Sequence, residues 1–488
     1  MKNSWKVLLA GTAFVIAGCD SDSSPDSPET LPPAPETFSL QVVHASSNAP
    51  EVTVTVNGDS TLTDVDFKDA SAELVLPTSD AYDIEVLAEL PDGTTTPVIT
   101  LPAGLTFDAD TNITAVATGL VGGTAGQELG IKTIARPMEE IAAGNARVTV
   151  LHGAALAPAV DVYVTAPGAD LATETPVNET LGVESLAFGD DALPSADVPA
   201  GTYQIRITVD ENPAAIAFDS GEVDLADGAD LVAIAVDNTN AGAGTVPVVG
   251  IPIPVSLLVV NSFGAAEILD AQTQADVRVT HAVPDVGAPN DATQGAVDVY
   301  ANGGQVAPLD DLLYTETRGP LALPAGEYQF QVAPANTTNF VIDRTLPLEA
   351  GQFYDAIAIG SVAGMNLDLF AAAGDRRRVA TAAKVRVIHG SASAGEVDVY
   401  VAPIGSTSVA GLDPVEGLVG IGLGADSGFL ELPDGQYQVL VAATGTDTVA
   451  ISAGIGVEAG GLYTIIARDP VAPSMEFGVL SIDDDPTP

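Results

Sequence analysis

Four histidines and one cysteine are the side chains in this 488-residue sequence best suited to hold a metal or move a proton near neutral pH. His44 lies in "LQVVHASSNAPEVTVTV", His152 in "VTVLHGAALAPAVDVYV", His281 in "VRVTHAVPDVGAPNDATQGAVDVYA" and His389 in "KVRVIHGSASAGEVDVYVAP". Each ends a valine-alternating strand and precedes a second one, so the histidines mark four repeats. A zinc site needs three or four His, Cys or carboxylate ligands. Each repeat supplies one histidine, and no cysteine follows Cys19. With a period of two, Leu40, Val42 and His44 share one strand face, as do Val148, Val150 and His152, Val277, Val279 and His281, and Val385, Val387 and His389. The histidine therefore closes an inward-facing row, where its ring packs on the core and bonds a nearby backbone group. This structural role is preferred over a ligand or proton-switch role, and no catalytic residue, metal site or cofactor is expected.

Other motifs that could carry chemistry lack their context. "HGSASAG" offers no G-x-S-x-G elbow, because the five-residue window ending at Gly395 begins with Ser391. "GIGLGA" at Gly420–Ala425 is followed by "DSGFLELPDG", a strand and turn where a dinucleotide-binding helix would start. "DADTN" begins like a calcium loop through Asp108, Asp110 and Asn112, but has Ile113 at position six and Gly119 at position twelve. An irregular calcium site between repeats stays open.

The address is written at the N-terminus. "MKNSWKVLLAGTAFVIAGCD" has a basic start (Lys2, Lys6), an apolar run and small residues before Cys19, which reads as a secretory signal. Ile16-Ala17-Gly18-Cys19 resembles the lipobox of bacterial lipoproteins. That resemblance implies cleavage after Gly18, acylation of Cys19, and a membrane partner reached through the N-terminal lipid, on the periplasmic side or the outer surface of a bacterial envelope. "DSDSSPDSPETLPPAPET" then reads as a disordered tether.

Composition narrows the partners. With 66 acidic and 16 basic residues the formal charge is −50, which repels nucleic acid and anionic lipid headgroups. Removing residues 1–18 takes away Lys2 and Lys6 and makes it −52. Forty-eight glycines, 34 prolines, short β-branched runs and the absence of a sustained helical period indicate an all-β protein.

The elements that position the histidines recur in order. After V-x-V-x-H and V-D-V-Y comes P-x-G-x-Y, in "VPAGTYQIRI" (Tyr203), "LPAGEYQFQV" (Tyr328) and "LPDGQYQVLV" (Tyr437), with the divergent "LPTSDAYDIEV" (Tyr82) first. A late strand follows: "TNITAVA", "GADLVAIAV", "GQFYDAIAI" and "GGLYTIIAR". The four tyrosines follow a turn and start a strand, resembling a tyrosine corner; this structural reading is preferred to a sugar-binding platform. The sole tryptophan, Trp5, lies in the signal, which weakens stacking on sugars. Histidine spacings of 108, 129 and 108 residues suit immunoglobulin-like or transthyretin-like β-sandwiches in tandem.

Taken together, these markers resemble domain of unknown function 4397 (DUF4397), a bacterial extracytoplasmic module, most strongly in the fourth copy. The resemblance implies an exported β-sandwich and assigns no activity. The expected organisation is signal 1–18, acylated cysteine and tether 19–37, sandwiches 38–136, 145–262, 275–374 and 383–482, and an acidic tail 483–488. Stacked pairs and flexible beads are equally compatible with it.

One further regularity predicts contacts. Arg147 with Asp161, Arg278 with Asp298, and Arg386 with Asp398 are expected to pair across adjacent strands, since Gln41 and Thr53 replace both charges together in the first repeat. "DRRRVATAAK" (Asp375–Lys384), the one basic cluster, reads as linker or interface. Two function classes follow. The first is a non-enzymatic, lipid-anchored spacer, scaffold or adhesion array whose partner is an envelope protein or polysaccharide. The second is a recognition protein that binds a carbohydrate or metal ion through inter-strand loops.

Overall fold

A computed structural model describes residues 35–239, 255–286, 295–470 and 476–484. The expected signal, with Gly18 and Cys19, and nearly all of the expected tether lie outside the described residues. In the first repeat the alternating segments form β1 (Thr37–His44), β2 (Val52–Val56), β3 (Asp59–Val65), β4 (Leu74–Pro77), β5 (Ile84–Glu89), β6 (Thr95–Thr100), β7 (Thr111–Thr118) and β8 (Gly130–Pro137). Asn57 and Gly58 both have positive φ, 54° and 83°, which two-residue hairpin turns require, and they reverse the chain between β2 and β3.

These strands form two four-stranded sheets, β4-β1-β7-β8 and β3-β2-β5-β6. β1 runs parallel to β7, with His44 opposite Ala117. Phe38, Leu40 and Val42 of β1 and Val52 and Val54 of β2 meet in one core. The same plan recurs with histidine strands Asn145–His152, Ala275–His281 and Ala383–His389, each parallel to its repeat's late strand. Each repeat is therefore a β-sandwich with its own apolar core.

Two expected boundaries move. The second repeat runs past 262, because Val255–Asn261 turns back into Gly264–Ile268 as a fifth strand of the histidine sheet. The last strand, Gly478–Asp484, pairs with Leu462–Arg468, so residues 483 and 484 belong to the sheet and not to a tail.

Stacking occurs in pairs. The outward face of β1, β7 and β8 packs on the histidine sheet of the second repeat, joining Val43, Val116 and Ile134 to Leu151, Ile234 and Leu258. In the third and fourth repeats Ile357 and Ile359 meet Ile388 and Ile466 in the same way. A histidine strand is thus buried on both faces, which explains why all seven residues of Ala275–His281 and of Ala383–His389 are buried.

Candidate functional site

The four histidines occupy one geometry. Each is at most 3% exposed. The Nε2 atoms face the carbonyls of Pro50 (3.0 Å), Pro158 (2.9 Å), Gly295 and Gly395 (2.8 Å). In every repeat that carbonyl lies two residues before the V-D-V-Y-type strand (Val52, Val160, Val297 or Val397). Nδ1 accepts from the backbone N–H two residues onward, Ser46, Val283 and Ser391, at 3.3 Å in the first, third and fourth repeats. Accepting at Nδ1 and donating at Nε2 selects the neutral Nε2–H tautomer. The ring therefore closes the crossover from one sheet to the other. The crossover is six residues long in three repeats and fourteen in the third, yet ends on the same bond.

Burial lowers the pKa of His44 and of His281 to about 4, the first also under the Arg377 charge. Burial likewise lowers that of His152. Aromatic edges pack on three of the rings: Phe67 on His44, Phe188 on His152 and Tyr314 on His281, with centroids 6.0–6.4 Å apart. These partners come from a loop with no fixed motif, and sequence reasoning missed them.

With both ring nitrogens occupied, His389 cannot serve as base to the neighbouring Ser391. The Ser391 hydroxyl donates instead to Asp469, which also accepts the N–H groups of Ala392 and Ser393. Of the calcium-like "DADTN", Asn112 lies in β7 and accepts from Ser39 Oγ at 2.6 Å. Elsewhere Glu51, Asp64 and Glu89 bring one oxygen each within 4.8 Å of one another. One Glu89 oxygen already accepts from Thr53 Oγ1 at 2.7 Å.

Three of the four motif tyrosines tie their turn to a proline carbonyl: Tyr82 to Pro77 (2.7 Å), Tyr203 to Pro199 (2.8 Å) and Tyr437 to Pro433 (2.9 Å). Tyr328 stacks beside Phe330.

The expected Arg–Asp pairs do not form. The histidine strand and the V-D-V-Y strand lie in opposite sheets, with their valines facing one core, so the alternate positions point away from each other. The aspartates instead tie loops. Asp161 accepts from Asn178 Nδ2 and Glu211 N, Asp298 from Asp311 N and Asn336 N, and Asp398 from Gly420 N and Gly445 N, all at 2.7–3.0 Å. Two of the arginines reach the stacked neighbour: Arg147 donates to Pro137 O and Arg386 to Ala373 O. Arg278 pairs with Asp355 at 2.7 Å, and Arg386 lies 3.6 Å from the same carboxylate. A double-mutant cycle between Arg386 and Asp398 is expected to give coupling near zero, and one between Arg386 and Asp355 a coupling of about 0.5–3 kcal/mol in urea unfolding. The reverse order would reinstate the cross-strand pair.

The basic cluster is an interface. Arg377, 5% exposed at its side chain, pairs with Asp66 and donates to Ala49 O of the first repeat, and Ala380 N donates to Asn48 O.

Fold and site together define a tandem β-sandwich repeat protein whose crossovers are pinned by buried neutral histidines. The family model described as "Domain of unknown function (DUF4397)" matches residues 38–163 and 275–400, about half the sequence, and the chain belongs to that family. No curated protein matches. A solved structure titled "The Bacillus anthracis TIE protein" is similar over 89% of this chain and 68% of its own, at 10% identity and a TM-score of 0.14.

Proposed function

We propose that this protein is a non-enzymatic, lipid-anchored component of a bacterial cell envelope, its sandwiches acting as a spacer, scaffold or adhesion array. The observation that carries this reading is the use of the repeated polar side chains. The histidines bond their own crossovers, three of the four motif tyrosines bond their own turns, and the V-D-V-Y aspartates bond their own loops. The repeats thus maintain a shape, which suits multivalent contact better than turnover. The lipobox-like "IAGC" supports the anchor. Among the described residues no helix is long and apolar enough to cross a membrane.

The test has two arms. Wild-type protein fed a clickable fatty acid is expected to be labelled and to fractionate with membranes, and Cys19→Ser to lose both. Cross-linking in intact envelopes is expected to capture the same protein or polysaccharide partner repeatedly. Saturable binding of a free glycan or of calcium by the purified chain, without such a partner, would replace the scaffold reading with recognition.

A further inference from the structure

We infer that the unit of folding and of duplication in this chain is a pair of sandwiches, one odd and one even, each the obligatory partner of the other. The sequence period supports this first. His44 and His281 are 237 residues apart, as are His152 and His389, whereas adjacent histidines are 108 or 129 apart. The two family matches, 38–163 and 275–400, are also displaced by 237 residues. Each covers a whole odd sandwich and stops within the even one, so the structural unit continues past the match.

The residue after each histidine shows that odd and even copies are complementary and not interchangeable. It is Ala45 and Ala282 in the odd repeats, Gly153 and Gly390 in the even ones. All four donate the same backbone bond to the late strand, Ala45 to Ala117 O, Gly153 to Ala235 O, Ala282 to Ala358 O and Gly390 to Ala467 O. The odd methyls are buried in the two interface cores. A Cβ on Gly390 would lie 2.8 Å from Ile466 Cγ2, 3.0 Å from Ala467 O and 3.4 Å from Ile359 Cγ2 of the third repeat. One on Gly153 would lie 2.9 Å from Ile234 Cγ2 and 3.6 Å from Thr118 Cγ2 of the first. The even copy's own late strand thus leaves no room for a methyl there, and Ile359 or Thr118 of the odd copy packs at van der Waals distance over the same spot.

Polar groups add to the same pairing, although Arg377 and Ala380, between the third and fourth repeats, also bond the first repeat. Gln41 donates to Asn261 O, Ser47 to Asp237 and Arg136 to Asp230, all from the first repeat to the second. Arg386 of the fourth repeat reaches Asp355 and Ala373 O of the third. A sandwich separated from its partner would expose buried isoleucines and lose the bonds that Gln41, Arg136 and Arg386 make to the neighbour.

Hydrogen exchange of the whole chain in increasing urea tests this. Slowly exchanging amides of the first and second repeats are expected to open together, and those of the third and fourth together at a different urea concentration. Gly390→Val is expected to raise opening of both the third and fourth repeats by about tenfold or more, leaving the first two unchanged. Ile359→Ala, made in the third repeat, is expected to accelerate exchange in the fourth. Four independent transitions, one transition for the whole chain, or effects of Gly390→Val confined to the fourth repeat would each overturn the inference.

Discussion

Acidification from pH 7 to 4 is expected to remove about 3 kcal/mol of folding free energy for each of His44 and His281. Both titrate at 6.5 when unfolded and at about 4 when folded, because burial disfavours the imidazolium. Between those values the unfolded chain binds protons that the native chain refuses. Stability from this source is therefore complete above pH 6.5, falls as the pH drops, and is fully lost below about 4. The charge also destroys the geometry, since a doubly protonated ring cannot accept the Ser46 or Val283 N–H. Burial raises the carboxyls of Asp237, Glu51 and Glu431, and these oppose the loss, because their protonation favours the folded form as the pH falls. The ring signals separate the contributions. Nitrogen NMR of histidine-labelled protein is expected to show Nε2–H tautomers for His44 and His281 with midpoints near 4. Midpoints near 6.5 would remove the predicted histidine share of acid sensitivity.

Asp355→Ala is expected to cost about 3–5 kcal/mol, the range for deleting one partner of a buried ion pair. The Asp355 side chain is 2% exposed and lies between Arg278 of its own repeat and Arg386 of the next, which are 7% and 4% exposed. Removal takes the shared carboxylate from two buried guanidiniums at the interface of the third and fourth repeats, Arg386 keeping Asp426 at 3.4 Å. Urea unfolding measures the loss. A triple replacement, Arg278→Met with Asp355→Leu and Arg386→Met, is expected to recover most of it, because a well-packed apolar substitute needs no charge compensation. A cost below about 1 kcal/mol for Asp355→Ala would mean that water already screens the cluster.

Much of the architecture was readable from local pattern. Alternation of period two placed the histidines at the ends of inward rows, and the markers gave the order of strands, because side-chain direction along a strand depends on parity alone. The aspartates show the limit. Parity put Arg147 and Asp161 off the core correctly, but not on which sheet, since strands consecutive in sequence can cross between layers. Gln41 and Thr53 suggested a lost ion pair in the first repeat, whereas Gln41 contacts Ser71 O and Asn261 O and Thr53 contacts Glu89.

The sequence by itself determined the β class, the number of repeats and the burial of the histidines. Each depends on residues close together in the chain. Only the tertiary structure decided which carbonyl each ring meets, where the arginines and aspartates find partners, and that sandwiches stack odd on even. The stacking depends on the outward faces of the histidine sheets, where Val43, Leu151, Thr280 and Ile388 occupy one register with different chemistry. An outward valine reads alike whether it meets solvent, a loop or another sheet, and its neighbour there lies about a hundred residues away in sequence.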